Sequence, residues 1–235
     1  MTHPLSGKWA LITGASRGIG QQIALGLAEL GCSLVLHARL LENLEQTLLL
    51  LKAHAARAHC IAGDLVSPEG VNQVIAGVMS CPGRVDILYN NAAIQNDWKP
   101  VWQISPEEWQ ACFQVNFFSL VALCRAFIPG MQHHGFGRVI NLTSGIRDVP
   151  NLAPYSASKA AVDKYTQDLA AELRGSNVLV NLLDPGWLRS DMGGPDGEHT
   201  VETVLPGALV PALLEDYGPS GRLYAAQDFK YLHAG

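Results

Sequence analysis

Short apolar runs alternate along the chain with longer stretches in which apolar residues recur at helical spacing. Runs of this length, bounded by polar or glycine-containing turns, predict strands. We predict strands at residues 9–12, 34–36, 59–61, 85–89, 138–142 and 178–183, with a short seventh strand near 222–224.

Helical periodicity fills the intervals between these strands. A serine followed by a proline predicts the start of two of these helices. Serine can cap the free N–H groups of a first turn, and proline fits its first position. The segment Ser105-Pro106-Glu107-Glu108 also has the spacing of a capping box. The predicted helices cover residues 18–30, 41–54 and 154–173, a helix that begins after Ser67, and a helix that begins after Ser105 and continues past Asn116.

Strands that alternate with helices form βαβ units, in which the strands run parallel and helices cover both faces of the sheet. The chain shows no linker, repeat or low-complexity segment, so we expect one α/β domain over residues 1–235 with a doubly wound, mostly parallel sheet. Ligands of such sheets bind outside the carboxyl ends of the strands. The motifs described below all follow predicted strands.

Composition narrows the class of protein. Apolar residues make up 48% of the chain and charged residues 16%, as in globular proteins. A net charge of -5 without a basic cluster argues against nucleic-acid binding. The sequence shows neither an apolar run of the roughly 20 residues that cross a membrane nor a secretion signal. The five cysteines form no CxxC pair and favour reduced thiols over a disulfide or metal site, so we expect a cytoplasmic protein without a metal.

A glycine-rich segment, residues 13–20, follows the first predicted strand and opens the first helix. Glycines permit a tight turn there, and they let backbone N–H groups approach a pyrophosphate at the helix N-terminus. Such a segment alone could be a plain turn, but its place between a strand and a helix favours dinucleotide binding. The residues expected to contact the cofactor here are Gly14, Ser16, Arg17, Gly18, Ile19 and Gly20.

The residues after the second strand indicate which dinucleotide is bound. An acidic residue usually stands about 20 positions beyond the glycines of an NAD site, where it binds the ribose hydroxyls. Here the place is taken by His37-Ala38-Arg39. Arg39, assisted by Arg17, could pair with a 2′-phosphate, although both could also be ordinary surface arginines. The missing acid favours NADP over NAD.

Tyr155 and Lys159 lie four residues apart near the start of a predicted helix, so they share one face. An ammonium beside a phenol favours the phenolate, so we expect the pKa of Tyr155 to lie below its ordinary value. Such a phenol can exchange a proton with an alcohol or carbonyl oxygen. The same spacing is common in ordinary surface helices. The position after the fifth strand is what favours a catalytic pair.

Ser144 and Asn116 are further candidates. Ser144 follows the fifth strand, where it could bind a substrate oxygen beside Tyr155 or merely close a turn. Asn116 lies in an apolar helical stretch, where a buried amide needs its hydrogen bonds satisfied. It could hold a water near Lys159 or satisfy a local backbone group.

Together these residues resemble the short-chain dehydrogenase/reductase family in its single-domain Rossmann form, over nearly the whole chain. Asn116, Ser144, Tyr155 and Lys159 match the catalytic tetrad of that family. Three further pairs match its cofactor-binding positions: Asp64-Leu65, Asn91-Ala92 and Pro185-Gly186.

The resemblance implies a role for each member of the tetrad. Tyr155 would be the general acid/base, and Lys159 would bind the nicotinamide ribose and lower the pKa of the tyrosine. Ser144 would orient the substrate carbonyl, and Asn116 would anchor a proton-relay water. Basic residues at positions 17 and 39 are typical of the NADP-preferring members, and homodimers or homotetramers are usual in the family.

The chain departs from the family pattern at a few positions. Ala93 replaces a glycine, and Ser190 stands where threonine is usual. The stretch between Ser144 and Tyr155 is short, and so is the region after Gly186. Residues 191–195 and 221–224 resemble carbonyl-reductase-type members.

We therefore expect an NADP(H)-dependent enzyme that transfers a hydride between the nicotinamide and a small-molecule carbonyl or secondary alcohol. Its substrate pocket is expected to include Trp98, Ile146 and Trp187, whose apolar and aromatic surfaces could form a wall. The alternative is a non-catalytic NADP(H)-binding sensor with the same fold, which would have no need for the tyrosine and lysine pair.

Overall fold

The computed structural model describes residues 3–54 and 56–231. Nine strands are found in this part of the chain: β1 (Trp9–Ile12), β2 (Ser33–Ala38), β3 (Ala58–Ala62), β4 (Ile87–Asn90), β5 (Gly137–Leu142), β6 (Val178–Asp184), β7 (Leu188–Arg189), β8 (His199–Thr200) and β9 (Leu223–Ala225). The α-helices are α1 (Gly18–Glu29), α2 (Glu45–Leu51), α3 (Pro68–Ser80), α4 (Pro106–Phe113), α5 (Ser119–His133) and α6 (Ala153–Glu172).

Seven strands form one parallel sheet in the order β3-β2-β1-β4-β5-β6-β9. The chain winds outward from β1 in one direction and then outward from β4 in the other, which confirms the predicted doubly wound α/β domain. β7 and β8 form a small separate ribbon that the sequence pattern did not predict. The predicted helix over 41–54 is broken into α2 and two flanking 3-10 turns.

The sheet separates two hydrophobic cores. Side chains alternate along each strand, so Ile12 of β1 packs on one face while its neighbour Leu11 packs on the other. The first face is covered by α1, α2 and the 3-10 segment Gly207–Ala212, and the second by α3, α5 and α6. Truncating a fully buried leucine such as Leu11 to alanine would cost about 2–5 kcal/mol of stability.

Both predicted serine caps are confirmed. The Ser67 hydroxyl accepts a hydrogen bond from Gly70 N–H at the start of α3. At the start of α4, Ser105 accepts from Glu108 N–H, and the Glu108 carboxylate accepts from Ser105 N–H. This is the predicted capping box, and it fixes where α4 begins.

A continuous helical stretch, Pro106–His133, joins α4 to α5 through the π-helical turn Gln114–Phe118. By length and composition this stretch could cross a membrane, but half of its most apolar window is buried inside the fold. Its side chains Leu123 and Phe127 pack in the second core. This is the environment of a core helix.

Candidate active site

The glycine turn lies between the end of β1 and the start of α1. Gly14 and Gly18 have φ angles of 66° and 59°, which favour glycine because a Cβ atom is strained there. Gly20 is confined by contact instead, since a Cβ at that position would lie 2.2 Å from the Gly14 carbonyl oxygen. The turn is therefore closed on itself, and only glycine fits at position 20.

The loop after β4 holds the glycine turn in place. The Asn91 side-chain amide donates to the carbonyl oxygens of Thr13 and Gly14, at 2.8 and 3.0 Å. In return, the Thr13 hydroxyl accepts from the backbone N–H groups of Asn91 and Ala92, at 2.9 and 3.0 Å. The predicted cofactor residues Asn91 and Ala92 thus bind the glycine turn directly, which places their loop at the edge of the same cleft.

The N-terminus of α1 is suited to bind an anion. Its N-cap residue is Arg17, and no side chain caps the first turn. The free N–H groups and the positive end of the helix dipole therefore face the mouth of the sheet, as a pyrophosphate requires. On the α2 side, the Thr47 hydroxyl shares its one hydrogen between the carbonyl oxygens of Ala15 and Ser16, at 2.9 and 3.1 Å. Ile19 is partly buried and packs against the first core.

His37, near the end of β2, belongs to the turn rather than to the cofactor surface. Its Nδ1 accepts from Gly14 N–H at 3.3 Å, and its Nε2 lies 2.8 Å from the Gly63 carbonyl oxygen, to which it donates. Burial lowers the pKa of His37, so the ring is neutral at pH 7 and can make both bonds. In the sequence, this histidine only marks a position at which an acidic residue is missing.

The remaining predicted cofactor residues lie at the carboxyl ends of the strands. Arg39 is exposed just beyond β2. Beyond β3, Asp64 is exposed and accepts from Val66 N–H at 3.1 Å, while Leu65 is buried. Beyond β6, Pro185 and Gly186 form a turn in which Gly186 N–H donates to the Asp184 carboxylate at 2.9 Å.

Arg17 makes a contact that the sequence did not predict. Its guanidinium forms an ion pair with Asp191, at 2.6 Å, and both side chains are largely exposed. The pair joins the glycine turn to the loop that follows β7. An exposed pair of this kind contributes little stability, roughly 0–1 kcal/mol, so Arg17 can exchange its partner at low cost.

The predicted tyrosine, lysine and serine lie together where β5 ends. The Lys159 ammonium is buried and donates to the Leu142 carbonyl oxygen at 2.8 Å. Its nitrogen lies 5.8 Å from the centroid of the Tyr155 ring. The Ser144 side chain lies close enough to the half-buried Tyr155 to lower the pKa of its phenol. The first turns of α6 thus present the pair to the carboxyl edge of the sheet.

The predicted direction of the Tyr155 pKa shift is wrong in this structure. Burial raises the pKa of Tyr155 above its ordinary value, and the nearby Ser144 side chain offsets only part of the rise. Burial also lowers the pKa of Lys159, to about 8. Sequence spacing showed that the two groups share a helix face, but it could not show how strongly that face is desolvated.

Asn116 lies in the π-helical turn and is buried. Its side chain accepts from Ile94 N–H at 2.8 Å and donates to the Ile94 carbonyl oxygen at 2.9 Å and to the Ser158 hydroxyl at 2.9 Å. The sequence left two roles open for Asn116, holding a water or satisfying a local backbone group. The structure shows the second, because both backbone groups of Ile94 are bonded to its side chain. Asn116 thereby joins the loop after β4 to α6.

The predicted substrate residues surround the same edge with different exposure. Ile146 is half-buried and lines a cavity of about 190 Å³ together with Ser144. Trp98 and Trp187 are 64% and 53% exposed, and the Trp187 indole donates to the Gly193 carbonyl oxygen at 2.9 Å. The aromatic wall therefore stays a prediction.

The five cysteines form no disulfide within the described residues. All five are free, with Cys32, Cys112 and Cys124 buried, Cys60 half-buried and Cys81 exposed. Burial raises the pKa of Cys112 to about 11. Within residues 3–54 and 56–231, no three histidine, cysteine or acidic side chains are grouped as a metal site would require.

Comparison with known proteins agrees with this geometry. Residues 8–200 match the family model described as short chain dehydrogenase. The chain is 35% identical over 226 residues to the 3-oxoacyl-(acyl-carrier-protein) reductase FabG of Pseudomonas aeruginosa. This alignment covers 95% of the present chain and 87% of FabG. The chain therefore belongs to the short-chain dehydrogenase/reductase family, and it is an NAD(P)-dependent oxidoreductase.

Two solved structures with bound cofactor resemble this one. A metagenomic short-chain oxidoreductase in complex with NADP aligns with a TM-score of 0.84 and 33% identity, over 94% of this chain and 98% of that chain. L-sorbose reductase from Gluconobacter frateurii, complexed with NADPH and L-sorbose, aligns with a TM-score of 0.82 and 27% identity, over 96% and 97% of the two chains.

Proposed function

We propose that the protein is an NADPH-dependent reductase of a small-molecule carbonyl compound, with Tyr155 as the proton donor. The observation that carries the proposal is the convergence of Ser144, Tyr155 and Lys159 at the carboxyl end of β5, two strands from β1 and its glycine turn. When bound, the reduced nicotinamide would supply the hydride for such a reaction.

The raised pKa of Tyr155 suits the reductive direction. A phenol whose pKa lies above its ordinary value is fully protonated at neutral pH, so it is ready to donate. The alkoxide that develops from a carbonyl is much more basic than a phenolate, so the proton moves downhill. The nearby Lys159 ammonium would stabilise the phenolate left behind.

Ser144 is the proposed second donor to the substrate oxygen. Its side-chain hydroxyl acts on the pKa of Tyr155, so the two groups are close enough for one carbonyl oxygen to be placed within reach of both. The same hydroxyl accepts a weak bond from Ile146 N–H at 3.3 Å, which orients it. Two donors that converge on one oxygen favour the state in which negative charge develops there.

Asn116 is proposed to act on this site through the loop after β4. Its hydrogen bonds use both of its amide hydrogens, so one acceptor position on Oδ1 is left for a relay water. The bonds to Ile94 fix a loop that begins with Asn91 and so holds the glycine turn. Hydrogen bonds through Asn116 thereby connect the glycine turn to α6, the helix that carries Tyr155.

The proposed preference for NADP(H) rests mainly on Arg39. No acidic residue stands at the end of β2 to repel a 2′-phosphate, and the Arg39 side chain is exposed beside the cleft. Arg17 would add a second positive charge, but it must first leave Asp191. The NADP and NADPH complexes of two similar structures support this preference.

We further propose a cytoplasmic homodimer or homotetramer. The free thiols suit a reducing compartment. Large apolar side chains are exposed before α4 and at the end of the π-helical turn, with Trp102 at 82% and Phe118 at 53%. Exposed apolar surface of this kind is typical of contacts between protein chains.

The proposal is tested with a panel of aldehydes, ketones and secondary alcohols, each assayed with NADPH and NADH at the nicotinamide absorbance band. We expect oxidation of NADPH with at least one carbonyl compound and a clear preference over NADH. Tight NADPH binding without oxidation across the panel would favour a non-catalytic sensor instead.

A further inference from the structure

Three consecutive residues at the end of β5 contact three residues that are one helical turn apart on α6. The Leu142 carbonyl accepts a hydrogen bond from Lys159, and the Ser144 side chain is near enough to Tyr155 to lower its pKa. Between them, the Thr143 hydroxyl donates to the carboxylate of Asp163. Residues 155, 159 and 163 are spaced by four, so one face of α6 carries a phenol, an ammonium and a carboxylate in a row.

Asp163 is held firmly, although it is not part of the predicted site. Its side chain is half-buried and receives the Thr143 hydroxyl, which is itself buried. It also lines the cavity behind Ser144. A buried carboxylate is costly unless it is hydrogen-bonded and compensated by a positive charge, and the buried Lys159 lies one turn away.

We propose that Asp163 is a positioning residue for the reaction: held by Thr143, its carboxylate keeps the buried Lys159 in the ammonium form beside Tyr155. The inference rests on the proposed function, because it assigns Asp163 to the proton donor described above. Asp163 makes no direct ion pair with Lys159 and acts on it through space.

The titratable groups around Lys159 determine in which direction its pKa moves when the charge of Asp163 is removed. On α6 these are Tyr155 and Asp163. At the end of β6, the Asp184 carboxylate raises the pKa of both Tyr155 and Asp163. The Cys112 thiol on α4 also raises the pKa of Tyr155. Burial lowers the pKa of Lys159 to about 8, and the Asp163 charge opposes that fall. Without that charge, Lys159 would lose its proton at a lower pH.

The Asp163→Asn substitution removes the charge but keeps an oxygen that can accept from Thr143. We expect the alkaline limb of the pH profile of kcat for carbonyl reduction to move to lower pH by about one unit, as for the loss of one nearby charge. Asp168→Asn is the matched control, because it removes an exposed carboxylate from the same helix, where its partner is Lys164. The control profile should match the wild type.

A second readout does not depend on turnover. The Cε resonance of Lys159 in ¹³C-lysine protein, assigned by its absence in Lys159→Met, should titrate near pH 8 in the wild type and about one unit lower in Asp163→Asn. Asp163→Glu should restore most of the difference. Thr143→Val keeps the charge but loosens its position, so the midpoint should fall by less.

A Lys159 midpoint that is equal in the wild type, Asp163→Asn and Thr143→Val would overturn the inference, even if turnover still required Tyr155. Conversely, a lowered midpoint in a protein that reduces no carbonyl compound would sustain the link between Asp163 and Lys159 while the proposed function failed.

Discussion

The imidazole of His37 accepts a hydrogen bond from the backbone N–H of Gly14, with 3.3 Å between the two nitrogens. The other ring nitrogen lies 2.8 Å from the Gly63 carbonyl oxygen. One neutral side chain thus joins the glycine turn to the end of β3, and protonation of the ring would remove the acceptor that Gly14 uses.

Stability should therefore depend on pH through His37. Its pKa is lower in the folded state than in the unfolded chain, so the unfolded chain binds the extra proton as the pH falls below the ordinary histidine range. The stabilising contribution is present above that range and lost below it. We expect the wild type to lose more unfolding free energy between pH 7 and pH 5 than His37→Leu does.

Denaturant titration at both pH values measures this difference. At pH 7 the variant should already be less stable by about 1–3 kcal/mol, because Gly14 N–H and the Gly63 carbonyl lose their partner. His54→Gln, which removes an exposed histidine, should keep the pH dependence of the wild type. Equal pH dependence in the wild type and His37→Leu would contradict the assignment.

The glycine turn should tolerate no side chain at position 20. In Gly20→Ala the new methyl group would lie 2.2 Å from the Gly14 carbonyl oxygen, and the backbone would have to move. We expect a loss of about 1–3 kcal/mol in stability and a marked loss of NADPH affinity by fluorescence titration. Gly130→Ala is the control, since open space surrounds that helical glycine and the change should stabilise α5 by about 0.5–1 kcal/mol.

Cofactor preference should change when the charge at position 39 is reversed. Arg39→Asp should weaken NADPH binding roughly ten- to hundredfold, as expected for the loss of about 1.5–3 kcal/mol of charge-assisted hydrogen bonding. NADH should be affected much less, because it has no 2′-phosphate. Arg174→Asp, an equal charge change in the exposed turn after α6, controls for net charge. Unchanged NADPH affinity in Arg39→Asp would refute the role given to Arg39.

Sequence periodicity was sufficient for most of the fold. The strands of the large sheet and the two serine caps could be predicted locally, because an apolar run and a serine followed by proline are patterns of residues close together in the chain. The β7–β8 ribbon was missed, since strands of two residues carry no periodic signal. Fragmentation of the predicted helix over 41–54 also left no clear mark in the sequence.

The site was only partly predictable, for a different reason. Motif spacing located the glycine turn, Tyr155 and Lys159, but the contacts that hold them join distant segments, as in the bond between Thr143 and Asp163. Desolvation depends on the packing around a group. Helix spacing alone therefore predicted the wrong direction for the pKa of Tyr155.

The most direct test of the account is the single-turnover rate of carbonyl reduction by Tyr155→Phe, measured with NADPH affinity on the same preparation. We predict a rate about 10²–10⁴-fold below the wild type, because the general acid is gone, with NADPH affinity essentially unchanged. A Tyr155→Phe enzyme that reduces the same carbonyl compound at the wild-type rate would contradict the central claim that the Tyr155 phenol delivers the proton.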